Sequence, residues 1–159
     1  MFDAFLFVEG APGESKDSQH ADWIEIHTFQ HGAVQPVSLN ASSTTGVIAG
    51  KASPTPFTIM KPIDKASPKL YEFCVKGQHI KKVILQIYRS GGDKQKYFEI
   101  TLDEAIIASF DQGGGEGFPV ETITFAPGKI HMDYNMQARE GSTLAGSVAT
   151  SWSWRTNTA

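Results

Sequence analysis

The chain has 159 residues with a formal net charge of -3 and a pI near 5.9, and 40% of its residues are hydrophobic. A chain of this length fits one domain, so we expect residues 1–159 to form a single domain with its own core. The slightly acidic balance excludes a global basic field, so nucleic acid and anionic lipid are not expected partners. The single cysteine, Cys74, excludes an internal disulfide and a cysteine-based zinc site.

The N-terminal residues predict no targeting segment. Residues 1–5 contain no basic region followed by a long apolar stretch, so we expect no conventional signal peptide. No window of the sequence approaches the roughly 18 apolar residues of a membrane span, so we expect no membrane insertion. The protein should therefore fold in a cytoplasm, and any secretion must follow a route that needs no signal peptide.

Two strands are predicted in the first part of the chain. Residues 2–8 are rich in Phe, Leu and Val, which indicates a buried strand. In residues 23–31, Ile24 and Ile26 alternate with polar side chains, which predicts a second, half-buried strand. The alternation shifts by one after Thr28, and this shift predicts a bulge.

The segment 35–56 is unusual because Lys51 is its only charged residue. Compact domains rarely contain an unstructured loop longer than about 15 residues, which leaves two interpretations. One is a floppy insertion. The other is a projecting arm made of two weak paired strands, whose apolar side chains need a surface such as another copy of the protein. The strands would be Val37-Ser38-Leu39 and Val47-Ile48-Ala49, and the candidate interface residues are Val37, Leu39, Val47 and Ile48.

A short helix is predicted to start at Ser67. Ser67 is a favourable N-cap, Pro68 suits the first helical position, and Gly77 can adopt the left-handed conformation that ends a helix. Three apolar residues then share one side of the helix and should face a core. They are Leu70, Phe73 and Cys74.

Most of the remaining chain is predicted to form short strands. Alternating residues over 83–89 and 97–102 flank the turn Gly91-Gly92-Asp93-Lys94, which indicates a hairpin. The second of these strands should continue after a bend at Asp103 and Glu104. The Ala126-Pro127-Gly128 turn predicts another hairpin. The other predicted strands are 57–61, 106–110, 120–125, 130–136 and 148–155. Seven or more short strands with one helix indicate a mainly β protein, either an antiparallel barrel or a sandwich.

The histidines do not predict a metal site. His27 and His31 would stand about 13 Å apart on a strand, which is too far to share a metal ion. His20, His79 and His131 have no Cys or carboxylate partner at ligand spacing, so we expect satisfied or solvent-facing histidines.

Other motifs also fail to predict catalysis. Gly13-Glu14-Ser15-Lys16 lacks the flanking glycines of a nucleophile elbow, and the glycine run at 113–117 is not followed by the Lys-Ser/Thr of a phosphate loop. Asp64 and Lys65 are interpreted as a local charge pair beside the helix start. We therefore expect a protein that is not an enzyme, with no catalytic, cofactor-binding or metal-binding residues.

A series of short motifs follows one another along nearly the whole chain. They are Gly13-Glu14-Ser15-Lys16-Asp17, His20-Ala21, Phe57-Thr58, Ile63-Asp64-Lys65-Ala66-Ser67-Pro68-Lys69-Leu70, Gly77-Gln78-His79, Arg89-Ser90-Gly91-Gly92, residues 97–102, Val120-Glu121, Phe125, Asp133-Tyr134 and Trp154-Arg155. In this order they resemble the haemolysin-coregulated protein (Hcp) family of bacterial type VI secretion systems.

The resemblance implies a two-sheet antiparallel β-barrel with one short helix on its side and the long arm projecting from it. It implies a structural tube subunit that forms hexameric rings, which stack into an inner tube and are secreted. The implied partners are further copies of the chain, the contractile sheath, a tip-spike protein and effector proteins that the ring can carry or chaperone. Thr28 and Gln30 are candidate contacts to the lumen or cargo. Some family members carry a toxin domain after the barrel, and none is expected here because the sequence ends at Ala159.

A second hypothesis is a monomeric β-barrel module that binds a carbohydrate or another small ligand. Trp23, Trp152 and Trp154 could form exposed aromatic platforms for such a ligand. Because Trp152 and Trp154 share a side by alternation, burial in the barrel is the simpler account of these two residues.

Overall fold

The computed structural model describes residues 2–39, 46–89, 95–137 and 144–159, and these residues form a mainly β structure with one helix. The elements are β1 Phe2–Val8, β2 Ile24–Glu25, β3 Thr28–Val34, β4 Val37–Leu39, β5 Val47–Ala49, β6 Ser53–Pro62, α1 Ser67–Lys76, β7 Ile80–Arg89, β8 Lys96–Gly113, β9 Val120–Ala126, β10 Lys129–Gln137 and β11 Leu144–Ser153. All strand pairs among them are antiparallel.

Strand β8 belongs to both sheets of the barrel. Its first half pairs with β7 and β10, and its second half pairs with β9. The first sheet therefore has the order β2-β1-β7-β8-β10-β11, and the second has the order β8-β9-β6-β3. Between the halves, Glu104 has φ 55°, which supplies the bend predicted at Asp103 and Glu104. The predicted two-sheet antiparallel fold with a helix on its side is confirmed, although the strand ladder of the described residues does not close.

The core lies between the two sheets. Alternate side chains of the strands point inward, including Leu6, Leu85 and Ile59, and each of these is fully buried. Helix α1 packs against β8 and contributes Leu70 and Phe73 to the same core, as predicted, while Cys74 is half-buried against it. Burying a large apolar side chain is worth about 1.5–3 kcal/mol, so this core is the main stabilising feature of the fold.

The predicted strand over 23–31 is two short strands that connect the sheets. β2 pairs with β1, and β3 pairs with β6. Between them, the backbone N–H of Ile26 donates to Ala4 and that of His27 donates to Met60, so the chain passes from one sheet to the other at this point. Ile24 and Ile26 are buried as predicted. The bulge predicted at the shift after Thr28 is wrong, because the chain crosses between the sheets at Ile26 and His27; the bulge of β3 lies later, between Gln30 and Gly32.

The hairpin predicted around Ala126-Pro127-Gly128 is wrong, although both of its strands exist. β9 pairs with the second half of β8 and with β6, whereas β10 pairs with the first half of β8 and with β11. The bend in β8 sends its two halves into different sheets, and β9 and β10 each follow one half. The hairpin of β7 and β8 is confirmed, and its predicted turn lies outside the described residues.

The predicted N-cap of α1 is also wrong. Ala66 occupies the N-cap position with right-handed helical angles and no side-chain cap, and Ser67 is the first helical residue. The Ser67 hydroxyl instead accepts the backbone N–H of Asp64 at 3.0 Å and lies 3.3 Å from Lys61 Nζ. A buried ammonium needs acceptors, and the Ser67 hydroxyl helps to satisfy it. Gly77 ends the helix in the left-handed conformation, as predicted.

Candidate interaction surfaces

The predicted arm strands are present and pair as expected. Val37, Ser38 and Leu39 lie opposite Ala49, Ile48 and Val47 in a two-stranded sheet, separate from the barrel sheets. The arm tip at residues 40–45 lies outside the described part of the chain, and β6 begins at Ser53, within the 35–56 segment.

Apolar side chains are exposed on both faces of the arm. Strand alternation places Val37, Leu39 and Val47 on one face with Ala49, and places Ile48 with Ser38 on the other. Leu39 is 82% exposed, Val37 63%, Val47 58% and Ile48 45%. A single two-stranded ribbon is at best marginally stable in water, and in an isolated copy these apolar side chains remain exposed to solvent.

The base of the arm lies beside two tryptophans. Gln35 Nε2 donates to the Gly50 carbonyl at 2.6 Å, and the Gly50 N–H donates to the Pro36 carbonyl at 2.7 Å, which joins the two sides of the arm. Trp152 and Trp154 line a cleft of about 300 Å³ next to this base. Their rings meet edge to face and are half-buried, so they do not form the flat, exposed platform that the carbohydrate hypothesis needs.

Thr28 and Gln30 lie on the outward face of the second sheet. Both are exposed, while Phe29 between them packs against the core. The strand register extends this face into two rows across four strands. One row is Thr28, Met60, Thr122 and Asp111, and the other is Gln30, Thr58, Thr124 and Ser109. We call these eight residues the threonine face. Sequence alternation within each strand could have found these residues, but only the pairing of strands puts them side by side.

A buried ion pair supports the threonine face from behind. Lys61 follows Met60 on β6, and Glu121 precedes Thr122 on β9. Both side chains are fully buried. Lys61 Nζ lies 2.7 Å from Glu121 Oε2 and 2.9 Å from Asp64 Oδ1. Asp64 therefore pairs with Lys61 and not with Lys65, whose Nζ lies 3.9 Å from Asp22. The predicted Asp64–Lys65 pair is wrong because the buried Lys61 recruits the Asp64 carboxylate.

His20 is a buried, satisfied histidine on the outer face of the first sheet. Its Nδ1 lies 2.8 Å from Asp17 Oδ2, and its Nε2 lies 2.7 Å from Gln86 Oε1 and 3.0 Å from the Tyr88 hydroxyl. Its ring stacks on Phe5 with centroids 4.3 Å apart. Burial, with the nearby negative charges, raises the pKa of Tyr88. This cluster fixes the 13–22 segment to the barrel, with Phe5, His20 and Tyr88 buried and Asp17 partly exposed.

The described residues contain neither a metal-ligand cluster nor a helix long enough to span a membrane. Within residues 2–39, 46–89, 95–137 and 144–159, no three His, Cys, Asp or Glu side chains are grouped so as to hold a metal ion. The one helix of the described chain, α1, is too short to cross a bilayer. Burial lowers the pKa of His31, whose ring lies 5.5 Å from that of Phe57.

The protein is therefore an antiparallel two-sheet β protein of the barrel type, with one helix on its side. An exposed apolar arm and the polar threonine face distinguish it from a plain barrel. A family model described as "Type VI secretion system effector, Hcp" matches residues 5–134. The chain therefore belongs to the Hcp family of type VI secretion system proteins.

Relatives and solved structures agree with this assignment. The chain is 33% identical over 158 residues to "Protein hcp1" of Pseudomonas aeruginosa, a match covering 98% of this chain and 96% of that protein. It is 27% identical over 152 residues to the "Major exported protein" of the same species, covering 89% and 86% of the two chains. A solved structure described as a type six secretion system protein is 30% identical, covers 99% of this chain and 98% of its own, and superposes with a TM-score of 0.90.

Proposed function

We propose that this protein is the tube subunit of a type VI secretion system. Copies of the chain associate into hexameric rings, and the rings stack into the inner tube. The tube is expelled by a sheath behind a tip-spike protein, and the rings carry effector proteins. The role is structural, without catalysis, and assembly takes place in the cytoplasm before secretion. The whole chain acts as one domain with the arm as its projection.

The observation that carries this proposal is the exposure of the arm. Val37, Leu39 and Val47 are each more than half exposed on a ribbon whose described residues form no strand pair with the barrel. Such apolar area is normally covered by a partner. A second copy fits, because the arm is nearly uncharged and imposes no requirement for a charged partner. A head-to-tail contact of this kind closes into a ring when its rotation is suitable.

The proposed cargo contacts are Thr28 and Gln30 on the threonine face. Both side chains are exposed, and the face around them offers hydroxyl and amide groups that hydrogen-bond without a fixed charge requirement. A flat face of this kind, repeated around a ring, would line a polar channel. Export of the ring is supported by the relative named "Major exported protein".

Light scattering on the purified protein tests the assembly. The expected mass is about six times the 17.3 kDa of one chain, and negative-stain images should show rings. Dilution should dissociate the rings, which separates a specific assembly from irreversible aggregation. A monodisperse monomer at high concentration would contradict the proposal and would favour a monomeric binding module.

A further inference from the structure

Asp111 is the one charged residue among the eight of the threonine face. Its neighbours in the two rows are Thr, Ser, Gln and Met side chains. It lies directly opposite Thr122 on β9, and the next acid along the sheet, Glu121, points to the core. The Asp111 side chain is exposed at the end of β8, and no ion pair joins it to any residue that the structure describes.

An unpaired carboxylate on an uncharged wall has a defined electrostatic effect. It attracts a cation without competition from a neighbouring Lys or Arg, and it repels an acidic partner. If six copies form a ring with the threonine face inward, six such carboxylates form one negative collar, and charges of one sign in a recess raise the local concentration of opposite charge. The other seven residues of the face offer hydrogen-bonding groups and the apolar side chain of Met60. Hydrogen bonds and apolar contacts of these residues depend much less on salt than an ion pair does.

We infer that Asp111 sets the charge preference of the threonine face, which selects protein cargo whose docking surface carries Lys or Arg among uncharged hydrogen-bonding groups. The inference rests on the proposed cargo role of that face. It is independent of the arm, because Asp111 and the arm strands lie on different sheets.

Fluorescence anisotropy with two short fluorescein-labelled peptides tests this preference. One repeats Lys-Ser-Gly and the other repeats Glu-Ser-Gly. The wild type should bind the lysine peptide more tightly than the glutamate peptide at low salt, and the difference should shrink at about 0.15 M salt. Asp111→Asn should weaken lysine-peptide binding about two- to fivefold, the range of an exposed ion pair. Gln30→Asp adds a carboxylate to the same face and should tighten it.

Glu72→Gln is the matched control, because it removes one negative charge from an exposed position on α1, which contributes no residue to the threonine face. It should bind both peptides as the wild type does. Equal effects of Asp111→Asn and Glu72→Gln, or no lysine-peptide binding by the wild type, would overturn the inference. Light scattering on the same samples separates the failure of the proposed ring from the failure of this inference. Monomers would refute the proposed ring. Rings that bind both peptides equally well with and without the Asp111→Asn change would refute only this inference.

Discussion

Lys61 and Glu121 are directly opposite each other on β6 and β9, with Lys61 Nζ 2.7 Å from Glu121 Oε2 and both side chains without solvent exposure. Gln112 Nε2 donates to the other Glu121 oxygen at 2.6 Å, which links β8 to the pair. Asp64 and Ser67 also contact Lys61 Nζ, so the start of α1 is tied to the second sheet. The pair sits behind the threonine face and holds its strands in register.

Lys61→Met should reduce the free energy of unfolding by about 3–5 kcal/mol, because it leaves a buried carboxylate without its cation. The double variant Lys61→Met/Glu121→Met should recover most of this loss, since it removes both fully buried charges and leaves only Asp64, which is partly exposed. Urea unfolding followed by circular dichroism measures each value. Lys65→Met is the control at an exposed pair and should cost less than about 1 kcal/mol. A double variant as unstable as the single one would refute this account.

Charged substitutions on the arm should weaken assembly and leave the barrel folded. Val47→Asp and Ile48→Asp each place a carboxylate where an apolar contact with another copy is proposed, and burying an unpaired charge there is costly. Light scattering should show the mass falling from the ring toward the monomer, while circular dichroism still shows a folded β protein. Val75→Asp is matched in exposure but lies on α1, and it should leave the mass unchanged. Loss of the folded circular-dichroism spectrum would instead show that the fold of the barrel depends on the arm.

Gly13→Ala should destabilise the fold. A Cβ at Gly13 would lie 2.5 Å from the Trp23 carbonyl oxygen and 2.8 Å from the Ile24 Cα, so the backbone itself must move. We expect a loss of about 1–3 kcal/mol in the free energy of unfolding, the usual cost of overpacking. Gly115→Ala meets no atom within 4 Å and should be neutral or slightly stabilising. Equal melting temperatures for the two variants would contradict this close backbone approach.

His31 should make the protein less stable in mild acid. Its pKa is lowered by burial in the folded state, so the unfolded chain binds a proton at a higher pH than the folded chain does. Stability is therefore lost as the pH falls from about 6.5, the ordinary histidine pKa, toward the lower folded value. His31→Gln should lose less of its free energy of unfolding than the wild type across that window. Parallel pH profiles for the two proteins would show that His31 does not contribute.

Local patterns predicted the elements better than their partners. The arm strands, the bend after Leu102 and the inward side of α1 follow from alternation, helical spacing and turn residues, which depend on neighbours in sequence. The β9–β10 hairpin was wrong because a short turn permits a hairpin but does not require one. The two halves of the long, bent β8 pair with different strands, β10 with the first half and β9 with the second. Packing between the two sheets decides this pairing.

The threonine face likewise combines positions that local sequence patterns predict with neighbours that only strand pairing brings together. Thr28 and Gln30 could be placed on one side of a strand from the sequence, but their rows with Met60, Thr122 and Asp111 exist only in the folded sheets. Lys61 has the same parity as the buried Phe57 and Ile59, yet charge alone would place it in solvent. Glu121 makes its burial possible, and Glu121 is 60 residues away along the chain.

The sequence by itself determined the mainly β class, the positions of most strands, the helix and the uncharged arm, because backbone propensity and side-chain alternation are local properties. The tertiary structure decided which strands pair, where the chain crosses between sheets, which lysine is buried and which polar residues share a face. Those features depend on contacts between distant segments. Their energies are settled only when the two sheets come together around one core.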